Sequence, residues 1–183
     1  MTSLTAAIVT VGTEITDGQI VDRNSSWLSQ KLQALDIKTL FHISVPDDTP
    51  LMLTAFQKAT QTADLIFICG GLGPTVDDFT RNVIAEFAGQ PLELSAEFFK
   101  IIEQKITSRG LPVREGHINQ ALFPRGALGI QNDYGVRFAL IVLNHLANVL
   151  SPCMFVELLK LQQVKHNISF FRICFHVFIY GEA

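Results

Sequence analysis

The sequence predicts an α/β protein of three layers, with helices on both faces of a mostly parallel, doubly wound sheet. Three observations predict it. Apolar runs at 6–11 and Leu65–Cys69 are short and nearly continuous, as in strands buried on both faces. Segments with apolar residues at helical spacing alternate with the strand-like runs. The two apolar runs end in glycine, Gly12 and Gly70, followed by polar residues, the composition of loops at the carboxyl edge of a parallel sheet.

The elements follow in order. Ala6-Ala7-Ile8-Val9-Thr10-Val11 is the first strand. Asn24 or Ser25 then caps a helix in which Trp27, Leu28, Leu32 and Leu35 face inward, which assigns Trp27 to the core rather than to a stacking platform for a base. Lys38–Val45 alternates, with Phe41, Ile43 and Val45 on one side and His42 and Ser44 on the other, so this strand has one wetter face and belongs near an edge. Pro46-Asp47-Asp48 turns the chain. Thr49 serves as N-cap with Pro50 at the first helical position, and Met52, Ala55, Phe56 and Ala59 form the apolar face.

Leu65–Cys69 runs directly into Gly70-Gly71-Leu72-Gly73-Pro74-Thr75, and Asp77 or Asp78 opens a helix with Phe79, Val83, Ile84 and Phe87 in one stripe. Ser95 caps a further helix with Phe98, Ile101, Ile102 and Ile106 inward, stopped by Gly110 and Pro112. From Phe138 the character changes to a phenylalanine-rich, apolar and atypical C-terminal tail. Its best window, 138–159, is interrupted by Asn144, His145, Asn148, Ser151, Pro152 and Glu157, so no transmembrane span is expected.

Composition narrows the function. The formal net charge of −3, without a dense Lys/Arg stripe, offers no footprint for nucleic acid or an anionic membrane, and a small ligand is the expected partner. Cys69, Cys153 and Cys174 are widely spaced among apolar residues, which fits reduced thiols and a cytoplasmic location. There is no zinc-ligand spacing and no Gly-x-Ser-x-Gly elbow; His42 and His117 read as surface or strand histidines.

The three polar loops Gly12-Thr13-Glu14, Pro46-Asp47-Asp48 and Gly70-Gly71-Leu72-Gly73-Pro74-Thr75 converge on one sheet edge. Glycines let a ligand approach the backbone, and the amides opening the next helix favour an anion, so a phosphate fits there. The loop lacks the Gly-Lys-Ser/Thr ending of a P-loop and the last glycine of a dinucleotide fingerprint, which argues against kinases, GTPases and dehydrogenases. Glu14, Asp47, Asp77 and Asp78 lie at the same edge, and carboxylates beside a phosphate call for a hard cation. The structural alternatives are a tight turn for the glycines, a turn for Asp47 and Asp48, and a helix start for Asp77 and Asp78.

Val11-Gly12-Thr13-Glu14, Gly18-Gln19-Ile20-Val21, Asn24, Gly70-Gly71-Leu72-Gly73-Pro74-Thr75, Asp77-Asp78 and Thr80 together resemble the N-terminal domain of the competence/damage-inducible protein CinA. The likeness continues more weakly through Gly110-Leu111-Pro112, Asn119-Gln120-Ala121 and Pro124-Arg125-Gly126-Ala127 to Asn132 and Gly135. That domain is similar to the molybdopterin-binding domains of MogA, MoaB and MoeA. The resemblance implies ligand contacts from Gly12, Thr13, Gly70, Gly71, Leu72, Gly73, Thr75 and Thr80. It also implies catalytic roles for Asp78 and Asp47, and a divalent cation (Mg²⁺, Mn²⁺ or Co²⁺) on Glu14, Asp77 and Asp78. The implied activity is metal-dependent hydrolysis of ADP-ribose or a similar nucleotide diphosphate. The alternatives are a non-catalytic module binding molybdopterin or a nucleotide, and an inactive remnant.

Residues 1–137 are expected to form this domain, incomplete at its C-terminal end, and 138–183 a divergent tail. After Gly135 the family continues through Ala-Pro-Gly-Phe to a Leu-Pro-Gly-x-Pro loop, whereas this chain reads Val136-Arg137-Phe138-Ala139-Leu140. A frameshift would produce that change; a lineage-specific ending is the alternative. The nicotinamide-nucleotide deamidase domain that often follows in CinA is not carried over. Relatives form dimers or trimers, so self-association is expected of a complete fold.

Overall fold

The computed structural model describes residues 4–73 and 79–130 and three further strands at 139–143, 148–149 and 173–177. The elements run β1 (Thr5–Val11), α1 (Thr13–Thr16), α2 (Arg23–Ala34), β2 (Lys38–Val45), α3 (Thr49–Thr62), β3 (Leu65–Cys69), α4 (Thr80–Ala88), β4 (Leu92–Leu94), α5 (Ala96–Thr107), α6 (Glu115–Asn119), β5 (Leu122–Pro124), β6 (Leu128–Ile130), β7 (Ala139–Leu143), β8 (Asn148–Val149) and β9 (Ile173–Val177).

The main sheet has the order β2-β1-β3-β8-β7-β6, with β9 pairing β3 and β7. β1 lies parallel between β2 and β3, and β9 is parallel to β3; the pairs made by β7 with β6, β8 and β9 are antiparallel. β2 is therefore the edge strand that its alternating sequence predicts, and its burial alternates along its length. β4 and β5 form a separate antiparallel pair. Strands from either side of position 137 share the main sheet, since β6 pairs with β7.

Strand alternation explains the layers. Ala7, Val9 and Val11 of β1 and Ile66 and Ile68 of β3 pack with Met52, Ala55, Phe56 and Ala59 of α3 and Val83 and Ile84 of α4. Phe56 and Phe87 meet edge to face, with centroids 5.8 Å apart. On the opposite face, the Thr10 hydroxyl reaches Ser25 of α2, which buries Leu28 and Leu32 completely. Each such large side chain withdrawn from water stabilises by about 1.5–3 kcal/mol.

Several expectations change in detail. The α2 cap is Asp22, not Asn24 or Ser25: its carboxylate accepts from the Ser25 backbone N–H at 3.0 Å. The α3 cap is Asp48 rather than Thr49, accepting from the Leu51 N–H at 3.0 Å. In both places an aspartate precedes the hydroxyl or amide residue and reaches the first free amides from further back. Ser95 caps α5 as the sequence implies.

Trp27 is not core. It is 37 % exposed, and the Lys31 ammonium lies 5.5 Å from its ring centroid. Leu28 and Leu32 form the buried row of α2, and Trp27 with Lys31 forms the row beside it, one residue round the helix. α4 begins at Thr80 with Phe79 as its cap; Asp77 and Asp78 lie outside the described residues, as does most of the tail. Among the described residues, no helix is long and apolar enough to cross a membrane.

Candidate functional site at the carboxyl edge of the sheet

The β1 and β2 loops are tied together by a compact set of hydrogen bonds. Gly12 N–H donates to the Val45 carbonyl at 2.9 Å. The Asp47 carboxylate accepts from the Thr13 N–H at 2.9 Å and from its hydroxyl at 3.0 Å, while the Asp47 N–H donates back to that hydroxyl at 3.2 Å. Asp47 thus fixes the start of α1. The Glu14 carboxylate folds back over Gly12: a Cβ on Gly12 would lie 2.9 Å from each carboxylate oxygen.

The glycine loop follows from an equally close approach. Gly70 has φ +104°, and a Cβ there would sit 1.8 Å from the Val11 carbonyl oxygen, so the ends of β1 and β3 touch through this residue. Gly71, at φ +63°, would place a Cβ 2.0 Å from the Thr80 hydroxyl oxygen. The Thr80 N–H donates to the Gly71 carbonyl at 3.2 Å, closing the loop onto α4. Thr80 is 1 % exposed, and its hydroxyl oxygen has no hydrogen-bond partner among the described residues. Beside it, Arg81 is 4 % exposed and donates from Nη2 to the Gly73 carbonyl at 3.4 Å.

Behind the β1 loop, Asp22 accepts from the Thr10 hydroxyl at 2.7 Å and from both the hydroxyl and the backbone N–H of Ser25. Burial pushes the Asp22 carboxyl up, but hydrogen bonds from Ser25, Thr10 and the Asn24 backbone together outweigh it and hold the group below its ordinary value. This network anchors the penultimate residue of β1 to the first turn of α2.

The structure brings Gly12, Thr13, Glu14 and Asp47 together at the ends of β1 and β2, and Gly70, Gly71, Leu72, Gly73 and Thr80 together after β3. Thr75, Asp77 and Asp78 lie outside the described residues. Among the described residues, no group of three or more His, Cys, Asp or Glu side chains is placed to hold a metal ion. Glu14 and the partly engaged Asp47 do not make a cation site by themselves. His42 is exposed and bonded to Ser29 at 2.7 Å, while His117 is half-buried and its Nδ1 accepts from the Arg114 N–H at 3.0 Å.

Sequence reasoning missed Arg81 and Asp22. A charge beside an apolar helical stripe reads as a solvated neighbour, yet α4 buries Thr80, Arg81, Val83, Ile84 and Ala85 round a wide arc. The one signal was position: Thr80-Arg81 opens the helix that follows the glycine loop.

Residues 7–166 match the family described as "Probable molybdopterin binding domain". The chain belongs to that family. A CinA-like protein of Dictyoglomus thermophilum is 39 % identical over 135 residues, covering 74 % of this chain and 33 % of the relative. The chain thus spans about a third of that relative's length. The solved structure of CinA from Thermoplasma acidophilum matches with TM-score 0.72 and 27 % identity, over 91 % of this chain and 98 % of that one. MoaB of Thermus thermophilus, at TM-score 0.55 and 16 % identity over 91 % of this chain and 96 % of its own, shares the fold. The likeness to CinA and the α/β fold expected from sequence both hold.

Proposed function

We propose that this member of the molybdopterin-binding-domain family holds a phosphorylated nucleotide or pterin on the loop formed by Gly70, Gly71, Leu72 and Gly73, with the Thr80 hydroxyl as a ligand donor. The carrying observation is that hydroxyl: it is buried, has no partner among the described residues, and lies against Gly71, where any side chain would collide with it. A buried polar group without a partner costs about 1–3 kcal/mol, which a ligand oxygen would offset. Thr80→Val removes the hydroxyl at nearly constant volume. The variant should be at least as stable as the wild type, yet bind ADP-ribose or inorganic pyrophosphate roughly tenfold or more weakly in calorimetry. Equal affinity, or no binding by the wild type, sinks the proposal.

Within this reading, the cytoplasmic substrate would be ADP-ribose or a similar nucleotide diphosphate. The resemblance gives Asp78 the reacting role and calls on Mg²⁺, Mn²⁺ or Co²⁺. Release of AMP by the wild type with one of these metals, and its loss in Asp78→Asn, are the expected results. A non-catalytic binding module is the second reading, and one observation favours it: the Asp47 carboxylate, the other acid implied in the reaction, is engaged with Thr13. Binding without turnover under any metal selects the module.

A further inference from the structure

Resting on that phosphate-binding reading, we infer that Glu14 is a charge filter for the site: its carboxylate, folded back over Gly12 at the end of β1, opposes a multiply charged anion on the neighbouring glycine loop and must swing away, or lose its charge, for such a ligand to bind tightly.

Gly12 owes its identity to Glu14. With φ 166° its backbone is extended, a conformation open to any residue, so no turn demands a glycine there. The three atoms nearest to a Cβ at this position all belong to the Glu14 carboxylate group, with both oxygens at 2.9 Å. A carboxylate thus fills the space that a side chain on Gly12 would take. That space adjoins the glycine loop, because Val11, the residue before Gly12, has its carbonyl oxygen 1.8 Å from where a Gly70 Cβ would lie.

The two acids at this edge differ in freedom. Asp47 is fixed by the Thr13 N–H and hydroxyl, whereas Glu14 is exposed and its carboxylate has neither a hydrogen bond nor an ion pair among the described residues. Nothing there holds it over Gly12, so a change of rotamer is enough to withdraw it. Where it stands, it repels a phosphate on the loop. Water reaches the carboxylate, so the repulsion is modest and screened by salt. It acts most on the ligand with the densest charge, inorganic pyrophosphate, and less on ADP-ribose, whose diphosphate is esterified at both ends.

Calorimetric titrations of the full chain with these two ligands, at low and high salt, test the filter; EDTA keeps divalent cations from neutralising the carboxylate. Glu14→Gln keeps the size and removes the charge, and Glu14→Ala removes both. At low salt Glu14→Gln is expected to bind pyrophosphate roughly two- to fivefold more tightly than the wild type, to gain less for ADP-ribose, and to lose most of the advantage at high salt. Glu14→Ala is expected to match it, and both variants should melt with the wild type, since the side chain is exposed and makes no bond that folding needs. Unchanged or weaker pyrophosphate binding by Glu14→Gln, a gain that high salt leaves intact, or a gain confined to the alanine variant overturns the inference. Failure of the underlying reading looks different: neither ligand binds the wild type or the two Glu14 variants, or both bind with no effect of Thr80→Val.

Discussion

Gly70→Ala tests the contact on which the site depends. At φ +104° an L-residue is strained by about 1–2 kcal/mol before any contact is counted. The new methyl would also sit 1.8 Å from the Val11 carbonyl oxygen, a backbone atom that yields only if the ends of β1 and β3 separate. Overpacking of that kind costs typically about 1–3 kcal/mol, so the total is about 2–5 kcal/mol. At about 2–4 °C per kcal/mol for a chain of this size, the melting temperature should fall by about 5–20 °C. Gly89 supplies the control: it has φ +63°, and a methyl added there meets nothing within 4 Å among the described residues, so Gly89→Ala should cost about 1–2 kcal/mol from backbone strain alone. Thermal melts followed by far-UV circular dichroism compare the two. If Gly70→Ala melts no lower than Gly89→Ala, the β1 and β3 ends do not meet through Gly70 and the geometry assigned to the loop is wrong.

Thr13→Val removes the hydroxyl that joins the β1 and β2 loops in both directions. It should cost about 1–2 kcal/mol in urea denaturation and loosen ligand binding; an unchanged midpoint would show that the Asp47 clamp does not form. Asp22 should shape the acid limb of stability. Its folded pKa is depressed, so its contribution is complete above the unfolded carboxylate value of about 3.9 and is lost as pH falls through the lower folded value. Asp22→Asn should therefore flatten the loss of stability in that acid window, and an acid limb identical to the wild type's would contradict the network. Trp27, the single tryptophan, should emit as a partly hydrated indole and be quenched readily by acrylamide; blue, protected emission would return it to the core.

What is legible in the sequence follows from how far each signal reaches along the chain. β1 and β3 are continuous apolar runs because both faces are covered by helices, and β2 alternates because it is an edge; each pattern is complete within the strand itself. α1, α6 and the β4/β5 pair are three to five residues long, too short for a period to register, so no sequence pattern announces them. Trp27 shows a different limit. On α2 the apolar residues at positions 27, 28 and 32 are too few to fix which edge of the stripe is buried, and the choice is made by Thr10 and Ser25 pulling the adjacent face onto β1. Glycine spacing located the site, but which glycine touches what is a tertiary property: Gly70 answers to Val11, far away in sequence, and Gly71 to Thr80.

The same contacts explain why the loop and the β1 end should act as one unit. Val11 is held through Gly70 on one side, and its neighbour Gly12 is bonded to Val45 on the other, so β3, β1 and β2 are coupled at their carboxyl ends within a few residues. Thr10, immediately before, is tied to Asp22 and Ser25, which carries the coupling into α2. A ligand seated on Gly70 and Gly71 would consequently draw on the rigidity of three strands and two helices rather than on a mobile loop. Such preorganisation lowers the ordering cost of binding. It follows that substitutions at Thr13 or Asp22, although neither lies in the glycine loop, should weaken ligand binding through the position of β1, and that Thr80→Val combined with Thr13→Val should depart from additivity if the two loops are coupled.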